Sequence, residues 1–351
     1  MEFGMQFFPC VGPEQKSGAQ YFDECLRLTD FADRYGWGHV RTVEHYFRPY
    51  GGYSPNPIVF LAAASQRSKQ ARLVTGAVLP IFNNPMKLAG EIAMLDGISG
   101  GRLEVGFARA FLPYEFANFG VSLNDSRERF VEGMEQIRLL LERENVTSEG
   151  KFHSFKNVTS LPRPTQKPRP PFWVAAIATP ESFVSAGKAG HSIMGIPMAG
   201  GQMKELLGLY RDAWRAAGHP GKGRVMLAFH MYCAESRERA FAVAHDPLNR
   251  YLRAIAAATA DWGNMSSKDY PGYDKISEIL SKETIETQAK SGAAWIGTPD
   301  EIAAQIGEYH ERVGGFESAS LQINFNDLSY ELAEGSIRLF SKEVMPRFRA
   351  A

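Results

Sequence analysis

Several short stretches of this sequence place polar or conformationally special residues just where apolar runs end. Residues 44–47 read Glu-His-Tyr-Phe, directly after the apolar-alternating run His39–Val43. A carboxylate beside an imidazole at a strand exit can move protons or orient a cofactor. A solvent-facing loop histidine has the same local sequence. Arg109 follows Gly106, Phe107 and Ala108 at the end of another apolar run. A guanidinium among small residues suits two-pronged phosphate recognition, with a salt bridge to a neighbouring helix as the plainer alternative. Further on, Ala178, Thr179 and Pro180 lead into a helix beginning near Glu181 and Ser182. The first amides of a helix lack partners and attract anions, while simple capping accounts for the hydroxyl equally well. The stretch GIPMAGG at 195–201 offers backbone that can approach a phosphate closely, or is an ordinary connection.

Other chemistries lack their usual patterns. The sequence contains no GxxxxGK[ST], GxGxxG or HExxH, so nucleotide hydrolysis, a dinucleotide fingerprint and zinc proteolysis go unsupported. His230 and Cys233 alternate along an apolar run and read as core packing rather than a metal pair. No metal site is expected. Cys10, Cys25 and Cys233 are odd in number and scattered, which argues against a disulfide framework and for a reducing, cytoplasmic setting.

Composition narrows the classes further. The 351 residues carry 39 basic and 39 acidic side chains for a formal net charge of zero, so no global field favours nucleic acid or an anionic membrane. With 44% hydrophobic residues the chain can bury a large core. The amino-terminal MEFGMQFFPC lacks the basic and long apolar regions of a signal peptide. The apolar run 58–64 is too short to span a bilayer.

The elements that must position these residues alternate. Apolar strands are expected at Glu2–Phe8, His39–Val43, Leu73–Leu79, Arg102–Phe107, Phe172–Ile177, Ser192–Ile196, Val225–Cys233 and Ser318–Phe325. Helical patterns separate them, among them Tyr21–Tyr35, Ile58–Ser68, Met86–Leu95, Asn124–Arg143, Arg237–Ala258, Ile276–Lys290 and Tyr330–Val344. Residues 146–171, proline- and base-rich, are expected to form an extended strap. Parallel strands need crossovers, and right-handed crossovers repeated around the sheet close into a (β/α)8 TIM barrel with inserted segments. A single such domain over 1–351 is expected, with its active site at the carboxyl ends of the strands.

These features occur together in one known family. The chain resembles the bacterial luciferase-like flavin monooxygenases over nearly its whole length, through TVEHYF at 42–47, VTGAVLPIFNNP at 74–85, LDGISGGRLEVGFARAF at 95–111, NDSRERF at 124–130, WIGTPDEI at 295–302 and LFSKEVMPRF at 339–348. The resemblance implies an enzyme that takes up reduced FMN and O2 and oxygenates a largely apolar substrate through a flavin peroxide. His45 matches the family's catalytic histidine and Glu44 the acid beside it. Thr75, Gly76 and Ala77 cover the stretch that holds a non-prolyl cis peptide beneath the flavin ring. Ala108, Arg109 and Phe111 match the fourth-strand cofactor contacts, with Arg109 on the phosphate. Ser182, helped by amides near Ala176 and Ile177, matches the hydroxyl that meets the phosphate.

Two positions depart from the luciferase itself: Ala108 replaces a reactive cysteine and Tyr46 a second histidine, which points away from light-emitting aldehyde oxidation. Residues 260–290 correspond in position to the family's mobile active-site lid. The resemblance also implies a separate flavin reductase, a homodimer, and a small-molecule substrate, free or carried on another protein. A dry aromatic cavity is expected from Phe8, Tyr46, Phe82, Phe111, Trp173 and Tyr232. Hydride transfer with a deazaflavin, or a flavin-binding protein without activity, are the competing expectations.

Overall fold

The computed structural model describes residues 1–197 and 201–348. Its centre is a closed parallel barrel, a (β/α)8 TIM barrel. The strands, in chain order, are β1 (Glu2–Phe7), β2 (His39–Thr42), β3 (Arg72–Val78), β4 (Leu103–Phe107), the small pair β5 (Val146–Glu149) and β6 (Ser154–Val158), then β7 (Phe172–Ala175), β8 (Ser192–Gly195), β9 (Val225–Cys233), β10 (Ala294–Gly297) and β11 (Ser318–Gln322). Hydrogen bonding runs β1-β2-β3-β4-β7-β8-β9-β11 and returns from β11 to β1, every pairing parallel. The eight strands expected from the sequence are the eight staves of the barrel.

β9 is unusually long, and its length has a use. The residues Val225–Leu227 pair with β8, whereas His230–Cys233 pair with β10. Since β11 occupies the other edge at Met226–His230, β8 and β10 share one edge of β9 in succession. The extra strand hangs from the upper part of the barrel wall without being part of the closure.

Helices start where the sequence supplies caps. Asn56 accepts from the amides of Ile58 and Val59 with Pro57 following, and Asn84 does the same for Met86 and Lys87 with Pro85 following. Thr298 and Glu301 form a reciprocal capping box. The pattern Tyr21–Tyr35 is broken into helices Gly18–Thr29 and Phe31–Tyr35, and Ile276–Lys290 into Ile276–Ser281 and Ile285–Ser291, the latter restarted by the Thr284 cap. Residues 146–158 fold back as the antiparallel pair β5–β6 instead of running straight on.

The barrel interior is a packed layer. Leu73 joins the core between sheet and helices, while its neighbour Val74 joins Trp173, Met194 and Met226 in a separate buried cluster, the alternation a pleated strand dictates. At the amino-terminal ends of the strands, Glu2 bonds His39 Nδ1 (2.9 Å), Arg72 and Ser318, while Arg72 and Arg224 both reach Glu104 (2.8 and 3.0 Å). His39 and Arg72 together hold the Glu2 carboxyl far below the usual range although burial alone would raise it. That network ties strands together at the end opposite the expected site. Cys10, Cys25 and Cys233 are buried free thiols. No described helix is long and apolar enough to cross a membrane.

Candidate active site

At the carboxyl ends of the strands lies a cavity of about 1180 Å³, somewhat above the ~300–1,000 Å³ typical of small-molecule sites. Its wall takes in the exits of six strands: Phe8 after β1, Glu44 and His45 after β2, Ala77 and Leu79 from β3, Ala108–Phe111 after β4, Ala176–Thr179 after β7 and Ile196 after β8.

The loop after β4 presents four consecutive residues to the cavity, where an extended strand would turn half of them away. Ala110 makes this turn with φ 58°, in the left-handed region. The turn is fixed from outside: Tyr270 Oη donates to the carbonyls of Arg109 and Ala110 (3.2 and 2.9 Å), and Trp262 Nε1 donates to the carbonyl of Phe111 (2.7 Å). Arg109 stacks its guanidinium 4.3 Å from the Tyr270 ring. Its Nη1 is buried without a hydrogen-bond partner, and no carboxylate lies within ion-pair distance of it among the described residues. A cation held in this way has room for an anion. Ser182, Thr179 and Arg127 share its cavity. The helix Pro180–Lys188 starts there with Thr179 making no side-chain capping bond.

On the other side sits His45. Its Nδ1 lies 3.1 Å from Glu115 Oε1, which also accepts from the amide of Tyr46 (2.9 Å). A carboxylate only accepts, so Nδ1 carries a proton and donates it to Glu115, leaving Nε2 as the other edge of the ring. Phe8, Tyr50 and Phe111 enclose the imidazole with ring centroids 5.7, 5.4 and 6.1 Å away. Gly51 backs it at φ 79°, and a Cβ there would fall 2.5 Å from His45 Cβ. Glycine is required at this position.

Glu44 is turned inward, where its carboxylate accepts from Tyr46 Oη, from Asn83 Nδ2 (2.9 Å) and from the Leu79 amide (3.0 Å). Burial pushes its pKa up to about 7 against those bonds, with Glu115 adding to the rise. At neutral pH it is therefore a group poised between charge states. Below it, the Gly76–Ala77 peptide is cis, and its carbonyl accepts from Arg41 Nη2 at 3.1 Å.

The structure thus brings together Glu44, His45, Gly76, Ala77, Ala108, Arg109, Phe111, Ala176, Ile177 and Ser182 around one cavity. Thr75 is the exception. Its side chain is fully buried away from the cavity, bridging β3 to β4 by bonds to the Gly106 carbonyl and amide (2.9 and 2.8 Å). Of the aromatic residues expected to line the cavity, Phe8 and Phe111 do. Trp173 lies in the barrel interior and Tyr232 in the core, while outside the cavity Phe82 stacks on Phe119 and Tyr46 meets Phe119 edge-on. Tyr50, Tyr251, Tyr270 and Tyr273 take their place. Glu115 was not foreseen: a single acid in the apolar heptamer PYEFANF, fully buried, it was the one available signal. Within GIPMAGG, residues 198–200 lie outside the described residues. Among the described residues no group of His, Cys, Asp and Glu is arranged to hold a metal ion.

Residues 1–314 match the family model for luciferase-like monooxygenases. The chain belongs to the luciferase-like monooxygenase family. The oxygenase component of flavin-dependent trigonelline monooxygenase from Acinetobacter baylyi is 30% identical over 346 residues, 95% of this chain and 92% of that protein. Among solved structures, monooxygenase RslO1 from Streptomyces bottropensis superposes with a TM-score of 0.87 at 42% identity, covering 99% of this luciferase-like monooxygenase and all of RslO1. The oxygenating constituent of 3,6-diketocamphane monooxygenase from Pseudomonas putida, a type II Baeyer-Villiger enzyme solved with FMN, shares the fold with a TM-score of 0.83 at 23% identity and 99% coverage of both chains.

Proposed function

We propose that this chain is the oxygenase component of a two-component system, taking reduced FMN from a separate reductase and using it with O2 to oxygenate a largely apolar organic substrate. The observation that carries the reading is the placement of Arg109 and His45 around one cavity. A guanidinium whose Nη1 is buried without a hydrogen-bond partner, suited to a phosphate, and an oriented imidazole for proton transfer line the same cavity.

The residues present fit FMN. Arg109, the Ser182 hydroxyl and the start of the helix Pro180–Lys188 would hold the phosphate. Gly76 and Ala77 would lie against the ring, and glycine at 76 leaves room for the Arg41 side chain, which a Cβ there would strike. Bound reduced flavin supplies the electrons that activate O2. The chain supplies the rest. His45 Nε2 holds or delivers a proton at the reacting end, Glu115 fixes its tautomer and direction, and the aromatic wall keeps water out. Residues 260–290, which bond the Arg109–Phe111 backbone from outside, serve as the lid.

The test is anaerobic titration with dithionite-reduced FMN, followed by mixing with O2 while absorbance and hydrogen peroxide release are recorded. Saturable binding and reoxidation slower than that of free FMN are expected. Failure to bind FMN in either redox state, or binding of a deazaflavin in its place, would overturn the reading.

A further inference from the structure

The cavity continues inward past His45 to a polar floor that packing does not require. The strand register sets His230 opposite Gln322, Gln322 opposite Gln6, and Gln6 opposite Arg41. Four adjacent strands therefore contribute a polar side chain to one row inside the barrel, a place where branched apolar residues usually pack. All four line the cavity, and their exposures are only 7, 5, 3 and 6% in that order.

The row is incompletely satisfied. Arg41 Nη1 donates to Gln6 Oε1 (3.0 Å) and Nη2 to the Gly76 carbonyl (3.1 Å), but Nε has no partner. His230 Nε2 and Gln322 Oε1 also lack a well-formed hydrogen bond, their side chains meeting each other. No carboxylate among the described residues lies within ion-pair distance of Arg41. Burial lowers the Arg41 pKa to about 10, so the cation persists at neutral pH. Burial pulls His230 down to about 3, which keeps its ring neutral. A buried cation without a counter-charge is costly, and anchoring a carbonyl and an amide would need only a neutral donor.

We infer that the row Arg41–Gln6–Gln322–His230 is a second anion-recognition subsite, separate from Arg109, that takes a planar, oxygen-bearing edge with negative charge. The cation would face the charge, with the Gln322 carbonyl and the imidazole satisfying the flanking groups. Two sources share this chemistry: a carboxylate, phenolate or enolate of the substrate, and the anionic ring edge of reduced flavin. The second source rests on the flavin reading above, whereas the first does not.

The experiment compares wild type, Arg41→Met and Arg41→Lys. Dissociation constants are measured for oxidised FMN, for dithionite-reduced FMN under anaerobic conditions, and for sodium benzoate with and without FMN. If the flavin occupies the row, wild type prefers reduced over oxidised FMN, and Arg41→Met loses about tenfold or more of that preference while Arg41→Lys keeps part of it. If the substrate occupies it, both FMN affinities survive in Arg41→Met and benzoate binding falls by a similar factor. Changes below about twofold in both quantities, in a variant whose melting shows it folded, would overturn the inference. Should Arg41→Met not fold, Gln322→Leu in the same row carries the same readouts. Failure of wild type to bind either form of FMN would sink the flavin reading alone, because the benzoate arm is still read on the flavin-free chain.

Discussion

Glu115 holds His45 by a 3.1 Å contact between Oε1 and Nδ1, and the same oxygen accepts from the amide following the histidine. One carboxylate thereby fixes both the ring and the backbone that carries it. Glu115→Gln is expected to keep FMN binding and lose about 10–100-fold in turnover, the usual penalty for removing the partner that orients an imidazole. Steady-state kinetics beside an FMN titration check this, and unchanged turnover would remove Glu115 from the proton path.

Arg109→Ala should act on the opposite quantity. Loss of a charge-assisted bond to the phosphate costs about 1.5–3 kcal/mol, or roughly 10–150-fold in FMN affinity. Riboflavin, which lacks the phosphate, should bind the variant and wild type equally. Equal losses for both ligands would place the guanidinium elsewhere than on the phosphate.

The raised pKa of Glu44 has a sign that calorimetry can read. A carboxyl that titrates near 7 in the folded chain and at 4.5 in the ordinary state favours the protonated form on folding. Its stabilising contribution is complete below pH 4.5 and is lost as pH rises through about 7. Melting temperatures of wild type should therefore fall relative to Glu44→Gln across that window. A difference between the two that is flat with pH would contradict the burial-driven shift.

Gly51→Ala introduces a Cβ against His45 at a left-handed φ. We expect lower thermal stability, by about 1–3 kcal/mol, and a fall in turnover greater than the fall in FMN affinity, because the imidazole is displaced. Melting curves and kinetics on the same preparation decide it.

Tyr270→Phe removes the hydroxyl that ties the lid segment to the Arg109 and Ala110 carbonyls. Faster hydrogen exchange over residues 260–290 and more hydrogen peroxide released per O2 consumed are the expected results. Exchange identical to wild type would mean that the segment is held by its other contacts.

The barrel was legible because its staves are short apolar runs bounded by helical periodicity. What escaped has physical reasons. β10 directly precedes a capping box that draws attention to the helix. β5 and β6 bury only Val146 and half-bury Ser148, Phe155 and Val158, too few apolar positions to mark strands in the sequence. Strand-exit position locates His45 and Arg109 but says nothing of which way a flanking aromatic turns, hence the outward Tyr46 and Phe82. Glu115 and Arg41 are polar residues inside apolar surroundings, and only the packed structure shows that one orients the histidine while the other lacks a counter-charge.

The shared edge of β9 has a consequence for how such an enzyme changes its diet. Everything between β9 and β11, including Tyr251, Tyr270, Tyr273, Leu280 and Ala293 on the cavity wall, is one excursion that departs from and returns to neighbouring staves. Because β10 docks on spare length of β9 and closes nothing, this excursion can be lengthened, shortened or recut while the cylinder stays shut. The outer wall of the chamber is thus free to drift toward new molecules wherever Trp262 and Tyr270 stay in place to hold the turn at Arg109–Phe111.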